Sequence, residues 1–334
     1  DDHGQRDRLT GGNGMTKRFN LKQFLLNYLV LVAIVLLVII TIIVEPKFLS
    51  GENLTNIMRQ FGPLSFVSLG MTFVIIGGFI DLSVAGIISL VAVVTVSLID
   101  PLGQVPALII GIALGAFLGF LNSMVLISAG ALTQAEALFI TYGMSAVYSA
   151  VALIYTDGAT QHMSWLTGDQ SVFTAIGSGT VGIVSVSFLI FLVSLGALWV
   201  FHNKTYNGRA ISYTGGNKVA AELSGIPIKR SVILIYTICG LMSAIGAVVL
   251  FSRITTAAPI IGKGYETNAI LSVVVGGTTL KGGKGSVLRT VLGVLLITLM
   301  SNCMNLLGVS PYMQVVLKGA ILVVAIWLDN RKEL

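Results

Sequence analysis

Long apolar runs alternate with short polar stretches along nearly the whole chain. Ten are read, at roughly 21–44, 62–80, 83–99, 106–129, 137–155, 181–201, 231–252, 266–280, 285–306 and 312–328. About 20 apolar residues in a helix cross the roughly 30 Å hydrocarbon core of a bilayer. The eighth run is too short to cross comfortably. It predicts a broken or re-entrant helix, which a membrane tolerates only where protein or water shields the backbone. The pattern therefore predicts an all-α fold: a polytopic membrane helix bundle of about ten transmembrane segments, one or two of them broken or re-entrant.

The polar stretches give the direction of threading. Residues 202–230 carry Lys204, Arg209, Lys218, Lys229 and Arg230 against one acid, Glu222, and 281–289 carry Lys281, Lys284 and Arg289 with none. Lys17, Arg18 and Lys22 precede the first run, and Arg331–Lys332 follow the last. Residues 156–180 hold Asp157, Asp169 and Trp165 but no Lys or Arg. Positive loops stay in the cytoplasm. Ten crossings place every basic stretch and both termini there, and 156–180 outside. The first run is longer than a signal-peptide core and lacks a small-residue cleavage site, so it reads as a retained anchor. Residues 1–20 read as a disordered tail, with Met15 as a natural start and 1–14 as an addition before it. Residues 21–330 form one transmembrane domain containing the polar loop 203–230.

Composition agrees. Of 334 residues, 55% are hydrophobic and only 10% charged, with a mean hydropathy of +0.92; soluble domains run near 25% charged. Cys239 and Cys303 fall in apolar runs, and His3, His162 and His202 lie in separate polar segments. That gives no disulfide framework, no metal site, no cofactor and no nucleic-acid partner; the first partner is the lipid bilayer. Gly111, Gly115 and Gly119 repeat every four residues, the spacing that lets helix backbones approach closely in lipid. Val74-Ile-Ile-Gly-Gly78 is echoed by Val273-Val-Val-Gly-Gly277, a pair of interruptions of the kind found where internal repeats meet a transport path.

Two stretches carry the candidate chemistry. In Gly77-Gly-Phe-Ile-Asp-Leu-Ser-Val-Ala-Gly86, two glycines weaken a helix at about 1 kcal/mol each, and Asp81 is the only acid between Glu52 and Asp100. An acid at membrane depth is a functional-site candidate. It is equally suited to cap the third helix, and the two roles are compatible. In 205–226, Asn217 suits a helix N-cap and Gly225 the position just past a helix end. Between them Val219, Ala220 and Leu223 are apolar and Lys218 and Glu222 polar. That is either a stubby rigid helix able to enter a partner's groove or a solvated loop.

With these stretches in hand, the chain resembles the ribose-type family of ABC sugar-importer permeases. Ile80-Asp-Leu-Ser-Val84 follows the family's Gly-Ile-Asp-Leu-Ser-Val-Gly signature. Gly208-Arg209, Gly216-Asn217, Ala220-Ala221 and Ser224-Gly-Ile226 follow its cytoplasmic loop. Gly276-Gly-Thr-Thr-Leu-Lys-Gly-Gly-Lys-Gly-Ser286 follows a third signature. The resemblance runs from about residue 24 to 330. Phe79 and Ala85 depart from it where glycine is usual, Lys281 where an aromatic is common and Tyr148 where an Arg is frequent, and Ala137–Met144 lacks the usual Pro-Phe opening. The resemblance implies a permease subunit in the bacterial inner membrane and import of a monosaccharide, ribose-like or related. It also implies three partners: a separate ATP-binding subunit, an extracytoplasmic sugar-binding protein and a second permease copy in a homodimer. Gly77, Gly78, Asp81, Ser83, Asn268, Gly276 and Gly277 become candidates for the substrate path. Arg209, Gly216, Asn217, Ala220, Ala221, Glu222 and Gly225 become candidates for coupling to the ATPase.

Other readings fit less well. Residues 277–286 tempt towards a phosphate loop, but Thr278 stands where its first glycine is needed and Gly285 where Ser or Thr is needed. Any ATPase is thus another chain, and the protein is not itself an enzyme. An ion-coupled secondary sugar transporter is the alternative; it wants several intramembrane carboxylates or histidines, and Asp81 alone qualifies. A membrane enzyme wants a cluster of His, Asp or Cys at one depth, and a channel wants a charged constriction. Lys318, six residues into the last run, reads as a snorkelling or paired lysine. Glu136 and Arg253 read as span edges, and Tyr155 and Trp165 as an outer aromatic belt.

Overall fold

The computed structural model describes residues 29–331. The expected tail at 1–20, the start of the first run, and Lys17, Arg18, Lys22 and Lys332 lie outside the described residues. Within them the chain is mostly helical, with turns between the helices and two short antiparallel strand pairs.

Helix α1 (Leu29–Val44) is followed by α2 (Gly51–Ile76) and α3 (Val84–Ser97), then α4 (Gln104–Ser128) and α5 (Gln134–Thr156). A short helix α6 (Ser171–Ser178) precedes α7 (Val186–Lys204). Two more short helices, α8 (Tyr206–Gly216) and α9 (Lys218–Leu223), lead into the long α10 (Ile228–Ile254). Helices α11 (Tyr265–Val275), α12 (Val287–Leu306) and α13 (Pro311–Arg331) complete the bundle. Six of these helices, α2, α4, α5, α7, α10 and α12, are long and apolar enough to cross a membrane. α3, α13 and part of α1 are shorter apolar helices.

The expected eighth run is α11, only 11 residues. At 1.5 Å per residue it reaches about 16 Å, half of a bilayer core. α3, with 14 residues, reaches about 21 Å and is also too short to cross alone. α2 begins eleven residues before the run that announced it, because Ser50 caps it by accepting from Asn53 N and its first turns are polar.

α2 and α10 form the centre. Most of α2 is buried by protein, and so is two-thirds of the apolar window of α10, whereas α5 and α7 keep most of theirs outward. Glycine sets the distance between helices. A Cβ on Gly70 would stand 2.9 Å from Cys239 Cα, and one on Gly119 would stand 2.2 Å from Tyr236 O. A Cβ on Gly115 would meet Ala244 Cβ at 2.3 Å. The stripe Gly111, Gly115, Gly119 is therefore the face by which α4 lies against α3 and α10, as its spacing predicts. Polar pairs pin the bundle where no water competes: Asn53 and Asn302 exchange hydrogen bonds at 3.0 and 2.9 Å, and Thr72 and Thr290 hydroxyls meet at 2.7 Å.

One end of the bundle carries 157–185. Strands β1 (Gln161–His162) and β4 (Thr256–Ala257) pair antiparallel there, and β2 (Thr180–Val181) pairs with β3 (Val184–Ser185). Asp100 accepts Gly168 N at 2.8 Å and Asp169 accepts Gln104 Nε2 at 2.5 Å, which ties this segment to the α3–α4 turn. Its backbone hydrogen bonds hold the Asp169 carboxyl below its ordinary range. The opposite end carries α8, α9 and the turn 276–286, and with them the basic loops.

Candidate functional site

The sequence gives each of α2 and α11 the ending Gly-Gly, and the two endings have the same geometry. Gly77 and Gly276 are right-handed, with φ −69° and −66°. Gly78 and Gly277 follow at φ +78° and +88°, a region that glycine enters without strain. In both, the second glycine donates three residues back and the next residue five back: Gly78 N to Ile75 O and Phe79 N to Val74 O, then Gly277 N to Val274 O and Thr278 N to Val273 O. Both are Schellman-type stops. The echo read in the sequence is thus a pair of matching helix breaks.

The first break is where the basic loops converge. Gly283 N donates to Ile76 O at 2.8 Å. A Cβ on Gly215, at the end of α8, would stand 1.8 Å from Ile76 O, and one on Gly282 would stand 2.7 Å from Gly78 Cα. Three backbones therefore touch: the α2 break, the end of α8 and the turn at 281–284. Gly216 has room, with only Gly283 Cα at 3.8 Å. The close approach falls on Gly215, which sequence reading passed over. The signal was present, since Gly215 and Gly216 are consecutive, but spacing alone does not say which one faces a neighbour.

From this junction α9 projects. Asn217 accepts Ala220 N at 3.0 Å as its N-cap, and Gly225, at φ +78°, follows its end. Ile226 N closes onto Ala221 O. The reading as a capped helix is the one the structure adopts. Ala221 is buried, whereas Ala220 and Glu222 are exposed. Val219 and Leu223, four residues apart and so on one face, are 68% and 85% exposed. Clefts of about 550 and 590 Å³ flank the helix, one lined by Tyr213, Gly216 and Lys284, the other by Thr133, Glu136 and Lys229. Arg209 lies exposed on α8, a helix missed in the sequence because Tyr206–Gly216 holds three glycines. It forms because Thr205 caps it and Ala210, Ile211 and Thr214 are buried beneath it.

Lys218 links α9 to the break. Its ammonium lies 4.0 Å from the centroid of the Phe79 ring, a cation–π contact, and donates to Leu132 O. Burial pushes the Lys218 ammonium below the ordinary lysine range, against the pull of the Glu136 carboxylate.

Asp81 and Ser83 sit just past the break in a buried hydrogen-bond network that engages one oxygen of the Asp81 carboxylate. Asp81 Oδ1 accepts from Ser83 N at 2.8 Å and Ser83 Oγ at 2.5 Å. Asn122 Nδ2 donates to Ser83 Oγ at 2.7 Å, and Tyr148 donates to Asn122 Oδ1 at 2.8 Å. At the start of α3, Asp81 thus serves the N-cap residue Ser83, and its reach stops short of the first helical turn. Gly276 lies against α12, where a Cβ would stand 2.6 Å from Arg289 O, while Gly277 is exposed. Asn268 is elsewhere. It lines a polar cavity of about 270 Å³ towards the other end, together with Arg253 and Lys318, and the remaining six path candidates do not line that cavity.

Residues 53–326 match a family described as the permease component of branched-chain amino acid transport systems. The ribose import permease protein of Escherichia coli strain K12 is 32% identical over 319 residues, covering 95% of this chain and 98% of that one. That of Bacillus subtilis strain 168 is 39% identical over 295 residues, 87% of this chain and 88% of the relative. The galactose/methyl galactoside import permease protein of Escherichia coli strain K12 is 32% identical over 335 residues, with 93% and 97% covered. No solved structure matches.

Proposed function

The chain belongs to this family of transport-system permease components, and from that premise we propose that it is the membrane subunit of an ATP-driven importer of a monosaccharide, ribose or a related sugar. Its multi-pass character follows from six long apolar helices with shorter ones beside them. The proposed topology has ten crossings, α11 being a half-length helix within a shielded path, and residues 21–330 acting as one domain. The basic ends of the chain face the cytoplasm.

The observation that carries the reading is α9. A capped two-turn helix that exposes Val219 and Leu223 beside basic loops is costly as free surface and suited to a groove in another protein. In this proposal loop 203–230 docks on the ATPase, with Arg209, Gly216, Asn217, Ala220, Ala221, Glu222 and Gly225 forming the contact. Gly215 against Ile76, and Lys218 against Phe79, then carry its movement to the α2 break. A second copy of the chain completes the path, and a binding protein loads it from outside. Gly77, Gly78, Gly276 and Gly277 supply the two matched breaks about which α2 and α11 yield. Asp81 and Ser83 hold the first break in register.

The test is uptake of labelled ribose into vesicles holding the permease, with and without the ATPase and the binding protein. Uptake is expected only with all components and ATP. Uptake that persists without the ATPase and collapses with an ionophore would instead support an ion-coupled carrier.

A further inference from the structure

The cavity around Asn268 is polar, cationic and free of carboxylates. α2 supplies Gln60, α10 supplies Arg253, α11 supplies Tyr265 and Asn268, α12 supplies Thr298 and α13 supplies Lys318. Among the described residues no Asp or Glu lines it. Thr298 is 3% exposed, yet its Oγ1 has no partner among the described residues. A buried hydroxyl without a partner costs about 1–3 kcal/mol, and half-buried cations without a counter-ion cost more. Such groups persist where a ligand periodically satisfies them. The donors outnumber the acceptors, since a guanidinium brings five N–H groups and an ammonium three. A volume of about 270 Å³ sits near the roughly 300 Å³ lower end of small-ligand pockets.

We propose that this cavity is a substrate station on the transport path and that it takes a small, hydroxyl-rich molecule bearing an anionic group, a sugar acid or sugar phosphate, in preference to a neutral sugar. This rests on the importer reading and narrows its substrate class. Lys318 and Arg253 meet the anion, and Asn268, Gln60 and Thr298 meet hydroxyls. Tyr265 closes one wall.

The experiment uses full-length permease in phosphatidylcholine nanodiscs and calorimetric titration with ribonate, ribose 5-phosphate and ribose. At least one anionic probe is expected to bind about tenfold or more tighter than ribose, as one charge-assisted pair provides. Lys318→Met and Arg253→Gln should each abolish that preference, Lys318→Arg should retain it, and all three should keep the wild-type gel-filtration profile. Equal binding of the three probes, no binding of any, or a preference untouched by both neutralising variants would overturn the proposal. So would anionic-probe binding that vanishes when phosphatidylglycerol is added, since the occupant would then be a lipid headgroup. If ATP-driven ribose uptake by the assembled importer is unchanged in Lys318→Met and Arg253→Gln, while ribonate binding is also unchanged, the station fails and the importer reading stands. If no ATP-driven uptake occurs at all, the importer reading fails first.

Discussion

At Gly215 there is space for a hydrogen and nothing larger, because a Cβ would overlap the Ile76 carbonyl at 1.8 Å. Relief would require α8 to move off the α2 break, and overpacking of this kind costs about 1–3 kcal/mol. Gly215→Ala is therefore expected to leave membrane insertion intact and to lower ATP-driven uptake about tenfold or more. Gly216→Ala, whose Cβ would stand 3.8 Å from its nearest neighbour, Gly283 Cα, should leave α8 seated on the α2 break, so any loss of uptake it causes through the docking face should be smaller than that of Gly215→Ala. Uptake assays on the two variants side by side check this. Residues of this kind are only half legible in sequence. The caps Asn217 and Gly225 could be read because their signals are local. The choice between Gly215 and Gly216, and the reach of Lys218 to Phe79, depend on segments more than 130 residues apart in the chain.

Among the elements, periodic glycine was read correctly and glycine-rich helix was not. The Gly111–Gly119 stripe shows in the sequence because its partners need only be small and its spacing follows the helix itself. α8 did not show, because its glycines oppose helix formation locally and only burial of Ile211 and Thr214 outweighs them. α6 and the two short strand pairs went unread for a related reason: runs of two to eight residues carry too little periodicity. The stripe gives a stability prediction. Gly119→Ala would drive a methyl into the Tyr236 carbonyl at 2.2 Å, whereas Gly143 on α5 has nothing within 4 Å. In detergent, Gly119→Ala should lower the unfolding midpoint, at a cost of about 1–3 kcal/mol. Gly143→Ala should leave it unchanged or raise it slightly.

For the whole molecule, hydropathy located the bundle but not how each helix meets the bilayer. Among the described residues six helices satisfy length and apolarity together. α3 and α11 fall short because the chain interrupts itself at the glycine breaks, and a count of apolar runs does not separate a crossing from half of one. The two ends differ in a way the charges had already indicated, with 157–185 at one and the basic loops at the other. Which end faces the cytoplasm decides whether α9 can reach an ATPase. Both native cysteines, Cys239 and Cys303, are buried, so a Leu223→Cys variant offers a maleimide one exposed thiol among the described residues. A membrane-impermeant maleimide should label it in inverted vesicles and not in intact cells, and assembly with the ATPase should protect it. Labelling from outside intact cells would contradict the proposed docking.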